Sequence, residues 1–271
     1  MNGNSRMHTA RSSDLHRRLL SAGLSTVGRV VPLSVWSRVE SFAARQLGKG
    51  TQTNRCDLEV AFCAGLLQRP PRTVLDVGAN LGSYSSAILA RYPTCSLHAF
   101  EPQPVNAAHL RARFKDSPTI YIHEVALSNR DGQALLHADR PGSGLASLAE
   151  RRLDHFGIQL TQSIEVRTIS LDRFANDANI HEIDWVKLDV EGHELCVLEG
   201  MKSLLDSISL IQFEFGGCNI DSRTFFQDFW YFFKHRNFAI YRLTPRGPAL
   251  LDRYDEIHES FRTTNFVALH N

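Results

Sequence analysis

Two short stretches hold most of the residues that could do chemistry. In TVLDVGANLGSYS, residues 73–85, an apolar run reaches Asp76, and Gly78, Asn80 and Gly82 follow at alternate positions. In VKLDVEGHE, residues 186–194, a second run reaches Asp189, and Glu191, His193 and Glu194 follow. Carboxylates beside an imidazole suit a reaction in which a hydroxyl, with a pKa far above neutrality, must give up its proton. His193 is the expected base, because an unperturbed imidazole ionises near the operating pH. Asp189 or Glu191 would orient its ring. Glu214, at the end of LIQFEF, is the remaining candidate and would contact the acceptor. Glu194 is expected to face solvent in a first helical turn, where an acid favours the helix dipole. The spacing of these acids gives no set of metal ligands.

The first stretch reads as a cofactor turn. Gly78 and Gly82 permit a sharp turn and a close backbone approach, and the start of the next helix offers N–H groups to an electron-rich ligand. The strand HAFEP then places Glu101 25 positions after Asp76, where an acid accepts hydrogen bonds from both hydroxyls of a ribose. NAD and S-adenosylmethionine (SAM) both satisfy this much. The turn is G-x-N-x-G followed by Ser83 and Tyr84, not GxGxxG, and Asp76 suits a sulfonium ligand with an ammonium group better than a diphosphate. The turn thus leans toward SAM and leaves NAD open. An NAD-dependent oxidoreductase and a non-catalytic SAM-binding module are the alternatives.

The elements that must position these residues alternate. TVLDV, SLHAF, TIYIHEVAL, DWVKLDV and LIQFEF read as strands separated by helices, followed by FAIYRLT and NFVALH. That alternation predicts an α/β, doubly wound, mostly parallel sheet. Right-handed crossovers bring its ligand-binding strand ends to one edge. QALLHA and IEVRTI are expected to pair around the loop DRPGSGLASL. Its Ser143 and Ser147 either close over a ligand or simply cross the surface. Phe225, Phe226, Phe229, Trp230, Phe232 and Phe233 share one helical face, which is core or dimer surface.

The totals narrow the function. With 271 residues, 43% hydrophobic, the chain can bury one sizeable core. A net charge of +1 gives no basic surplus for a nucleic-acid partner. Five dispersed cysteines without a CxxC pair fit a reducing compartment, the cytoplasm. Residues 1–55 read as a basic tail with a helical extension, and 56–271 as the catalytic domain. Arg6, Arg11, Arg17, Arg18, Arg29 and Arg38 face the single acid Asp14 up to residue 39. Contact with a membrane surface is the second reading of that extension.

In order along the chain, VLDVGANLGSYS, AFEPQPVNAAHL, HEVALSN, SGLASL, TISLDRF and IDWVKLDVEGHELCVLEGM resemble the FkbM-type family of SAM-dependent O-methyltransferases over about residues 72–216. The resemblance implies a class I methyltransferase (Rossmann-like) fold with an antiparallel last strand. It implies methylation of a hydroxyl on a sugar, glycan or secondary metabolite. The family's SAM loop falls on Asp76, Gly78, Asn80 and Gly82, with Ser83 and Tyr84 beside it. Its ribose acid falls on Glu101, next to Pro102, and its adenine side on Val125, Ala126 and Leu127, with Ser128 adjacent. Asp189 is expected on the SAM side as well as in catalysis. The chain lacks the Asn/Asp-Pro-Pro-aromatic loop of amino-directed methylases after the fourth strand, which argues against methylation of a base nitrogen.

Overall fold

The computed structural model describes residues 31–50 and 55–271. The chain divides into two units, Met1–Gln46 and Leu47–Asn271. The described part of the first unit holds helix α1 (Leu33–Gln46), which buries none of its side chains. The rest of the arginine-rich stretch lies outside the described residues. Among those residues, no helix is long and apolar enough to cross a membrane. In the second unit, Gly50 N–H donates to the Thr263 carbonyl at 2.9 Å and Lys49 Nζ to that of Ile257 at 2.5 Å.

The strands of the second unit are β1 (Thr73–Val77), β2 (Ser96–Phe100), β3 (Ile120–His123), β4 (Ala126–Ser128), β5 (Gly132–Ala138), β6 (Gln162–Ser170), β7 (Ile183–Leu188), β8 (Ile208–Phe215), β9 (Phe238–Thr244), β10 (Gly247–Leu251) and β11 (Thr264–His270). Its helices are α2 (Cys56–Ala64), α3 (Ser83–Arg91), α4 (Pro104–Arg113), α5 (Leu171–Asp177), α6 (Glu194–Glu199), α7 (Cys218–Ser222) and α8 (Phe226–Lys234). Eight strands form one sheet in the order β10-β9-β11-β8-β7-β1-β2-β3. The runs in β1, β2, β7 and β8 are buried almost end to end. This is the signature of parallel strands covered on both faces. Leu75, Val77, Val186, Leu188 and Phe213 face one layer, and Val74, Leu97, Trp185 and Leu210 the other. Strand β11 runs antiparallel between β8 and β9, as expected.

Two details depart from the sequence reading. TIYIHEVAL is two strands: β3 closes the large sheet beside β2, while β4 leaves it and pairs with β6. The pull is apolar burial, since Leu127 of β4 packs with Val197 and Leu198 of α6 in the main core. The expected pairing of β5 with β6 then completes a second, three-stranded sheet, β4-β6-β5. Strand β10, which the sequence did not suggest, adds an antiparallel edge to β9. It contains Pro248, which an edge strand tolerates. The aromatic face of α8 is core: Phe226, Phe229 and Phe233 are fully buried, and Phe229 stacks on Phe213 at 5.1 Å. Phe225 is half exposed.

Candidate active site

The sheet reverses its strand order between β1 and β7, the switch point at which such sheets open a crevice. Two cavities lie there. The first is lined mainly by apolar groups that include Phe100, Pro102, Val125, Ala126, Leu127 and Leu136, together with Glu101 and His193. The second is lined by Asp76, Ser83, Tyr84, Lys187, Glu214, Glu59 and others. Gly78, Asn80, Gly144, Asp189 and Glu191 line both. They form the neck between an apolar chamber and an acidic one.

The glycine turn is shaped by the protein itself. Gly78 has φ +82°, and a Cβ there would lie 1.9 Å from the Asp189 carbonyl oxygen. The glycine therefore lets the ends of β1 and β7 touch. Gly82 has φ +79°, and its Cβ would meet Leu110 and Phe114 of the neighbouring helix region at 2.7 Å. Gly82 lines neither cavity, and its tight surroundings give it a packing role. Asp76 is buried and accepts a hydrogen bond from Ser85 Oγ at 2.6 Å. Burial raises its carboxyl to about 6, against the opposing pull of Ser85 and Lys187.

Glu101 ends β2 as expected and lines the first cavity. Its two oxygens accept the N–H groups of Asn80 and Gln103, each at 2.9 Å. Gln103 then pins the loop after β5: its side chain donates to the Ser143 carbonyl at 2.8 Å and accepts from Gly142 N–H at 3.0 Å. Ser143 and Ser147 are buried, and the loop walls the first cavity through Ser143, Gly144, Ala146 and Leu148. Nothing local marks Gln103 in the sequence beyond its place two residues after the acid.

The turn after β7 is strained. Glu191 takes φ +54° and Gly192 φ +100°. A non-glycine residue in that region is costly and persists only where its surroundings hold it. Glu194 supplies part of the hold: its carboxylate accepts the N–H groups of Val190 at 3.0 Å and Gly192 at 3.1 Å. It is fully buried, which corrects the expectation of a solvent-facing acid. Ser147 Oγ donates to the Glu191 carbonyl at 2.8 Å, and the buried Arg151 guanidinium pairs with the Glu191 carboxylate. Burial, with Asp189 beside it, raises Glu191 to about 7 despite Arg151.

His193 lines the first cavity only, and its Nε2 is 2.9 Å from Ser128 Oγ. Burial lowers it to about 4. The expected base is thus a neutral ring on the apolar side, apart from Glu214 and Lys187. Lys187 is not among the sequence candidates, although a lysine between the apolar Trp185, Val186 and Leu188 is a visible anomaly. Its Nζ lies 3.1 Å from Asp189 Oδ2. Burial alone would lower this ammonium, but Asp189, Glu59 and Glu214 outweigh it and hold it above the ordinary lysine value. Burial, then Asp189, pushes Glu214 well above the usual carboxyl range.

Comparison with known proteins agrees with this geometry. The family profile described as the Methyltransferase FkbM domain matches residues 76–240, more than half of the chain. The 2-O-methyltransferase NoeI of Sinorhizobium fredii is 28% identical over 193 residues, 68% of this chain and 77% of NoeI. The hexuronic acid methyltransferase AglP of Haloferax volcanii is 29% identical over 137 residues, 50% of this chain and 52% of AglP. The 31-O-demethyl-FK506 methyltransferase FkbM of Streptomyces tacrolimicus is 27% identical over 190 residues, 61% of this chain and 72% of its own. With that profile matched over residues 76–240, a span that holds the strand-end acids, the glycine turn and the DVEG turn, the chain belongs to the FkbM methyltransferase family.

Proposed function

We propose that the chain is an O-methyltransferase that uses SAM and methylates a hydroxyl of a sugar or secondary-metabolite acceptor. The observation that carries this reading is the neck. Asp189 and Glu191 face both cavities, so carboxylates flank the passage between an apolar chamber with a ribose acid and an acidic chamber. That arrangement fits a flat adenine, a ribose and a sulfonium in sequence. It opposes NAD, whose diphosphate would meet the carboxylates of Asp76, Asp189 and Glu191.

Bound there, SAM supplies an electrophilic methyl group: the acceptor oxygen takes it, the C–S electron pair stays on sulfur, and the hydroxyl proton must leave. Glu101 would hold the ribose, while Ala126, Leu127 and Leu136 wall the adenine. Asp76, Ser83 and Tyr84 would bound the methionine end. Glu191 is the proton acceptor in this reading, because it stands at the neck with a carboxyl raised toward operating pH. His193 is left to bind and wall the cofactor. Calorimetry with SAM and NAD, followed by transfer of labelled methyl from SAM, tests the reading. SAM binding with label transfer is expected. NAD binding in its place would overturn it.

A further inference from the structure

The second cavity has walls that the family match does not reach. Glu59 comes from α2 and Asn265 from β11, both outside residues 76–240. A buried network fixes them. Gln212 Nε2 donates to Glu59 Oε2 at 2.8 Å and to Asn265 Oδ1 at 3.2 Å. Gln212 Oε1 accepts from Tyr84 OH at 2.5 Å and from Cys63 Sγ at 3.2 Å. Asn265 sits opposite Glu214 in the β8–β11 ladder.

Glu214 stands out. It is 9% exposed, it lines the cavity, and among the described residues no group donates a hydrogen bond to it. A carboxyl group buried that far needs hydrogen-bond partners, and the open side is the cavity. The charge around it is one-sided. Besides Glu214 itself, Glu59, Asp76, Asp189 and Glu191 line the cavity, and Lys187, already paired with Asp189, is the one lining ammonium among the described residues. An anionic ligand would enter against that field, whereas a ring of hydroxyls would supply donors to it.

We infer that Glu59 and Glu214 form an acceptor subsite for a non-acidic sugar ring, gripping hydroxyls next to the one that is methylated. The inference rests on the methyltransferase reading above and narrows it to acceptors without a carboxylate or phosphate on the reacting ring. Groups from α2, β8 and β11 then set acceptor choice, while the glycine turn and β2 hold the cofactor.

The test offers labelled SAM and the full-length protein to a total carbohydrate extract. Labelled products are hydrolysed and separated by charge on an anion exchanger. Label on a neutral or amino monosaccharide is expected. Label on a uronic acid, a phosphorylated sugar or a compound without a sugar ring overturns the acceptor assignment and leaves the methyltransferase reading standing. No label, with SAM bound by calorimetry, overturns both. With the labelled acceptor in hand, Glu214→Leu should raise its KM at least tenfold while SAM affinity stays within twofold. Glu214→Gln, which keeps one acceptor oxygen, should recover part of that loss. An unchanged KM in both variants removes Glu214 from the subsite.

Discussion

The two cavities at the switch point are built by opposite means. The first joins apolar side chains to a polar end fixed by the backbone: Glu101 accepts two N–H groups, and a glutamine two residues later fastens the covering loop. The second is set by side chains from β1, β7 and β8, joined by α2 and β11. Its charges lie in one network around Lys187. A chamber made of side chains from distant elements is easily re-cut for a new acceptor. On the proposed reading, the second chamber is therefore the one that sets acceptor choice.

The largest break is at the point the cavities share. Gly78→Ala places a Cβ 1.9 Å from a backbone oxygen, at φ +82°. The ends of β1 and β7 must separate, and the expected cost exceeds about 4 kcal/mol, enough to unfold a marginal domain. Gly157→Ala is the control: its φ is +69°, but nothing lies within 4 Å of its Cβ. It should cost only about 1–2 kcal/mol, the penalty of the left-handed conformation. Urea unfolding of both variants checks the comparison. Similar losses would mean that strand contact does not set the turn.

Next is the division of labour between the neck and the apolar chamber. Glu191→Gln should lower the methyl-transfer rate about 10²- to 10⁴-fold by loss of the base, with SAM affinity nearly constant. The parent rate should rise with pH through about 7, where Glu191 loses its proton, and level off above it. The variant should lack that limb. His193→Ala should act the other way, weakening SAM binding and leaving the limb in place. If His193→Ala abolishes the limb and Glu191→Gln keeps it, the roles are reversed.

The same contrast governs what the sequence reveals. The ends of β1, β2, β7 and β8 were legible because each is an apolar run stopped by an acid. Asp76, Glu101, Asp189 and Glu214 all fall at or beside those strand ends. The roles around them were not. Glu194 looks like a helix-start acid and is a buried staple, because only the fold shows which N–H groups the turn leaves open. His193 looks like a base until burial lowers it. Glu59, Arg151 and Asn265 gave no local signal, since nothing in their neighbourhoods tells which distant element they face.

A moderate effect should stay confined to the first cavity. Glu101→Ala removes the strand-end acid and leaves the Asn80 and Gln103 N–H groups without their carboxylate. SAM binding should weaken by about 1.5–3 kcal/mol, the scale of lost bonds to a charged group. The acceptor KM should barely move. An unchanged SAM affinity in a folded variant would reject the ribose assignment, and an acceptor effect larger than the SAM effect would erase the boundary between the chambers.

The smallest effect is a difference of slopes, and it separates the chambers by sign. His193 in the first cavity is lowered from 6.5 to about 4 by burial. Between those values the unfolded chain binds the proton that the folded chain refuses, so this group makes stability fall as the pH falls. Asp76 in the second cavity is raised from 3.8 to about 6, again by burial. Between those values the folded chain keeps the proton that the unfolded chain has lost, so this group makes stability fall as the pH rises. His98 and His123, with ring nitrogens 3.0 Å apart and both lowered to about 4, add to the first trend in every variant. Unfolding free energies measured from pH 4.5 to 6 should therefore slope less steeply upward with pH in His193→Gln than in the parent. In Asp76→Asn they should slope more steeply upward. Each change is at most about 1.4 kcal/mol per pH unit, the limit for one proton. Shifts of the same sign in both variants would mean that the two chambers share one electrostatic environment, and that the neck does not divide them.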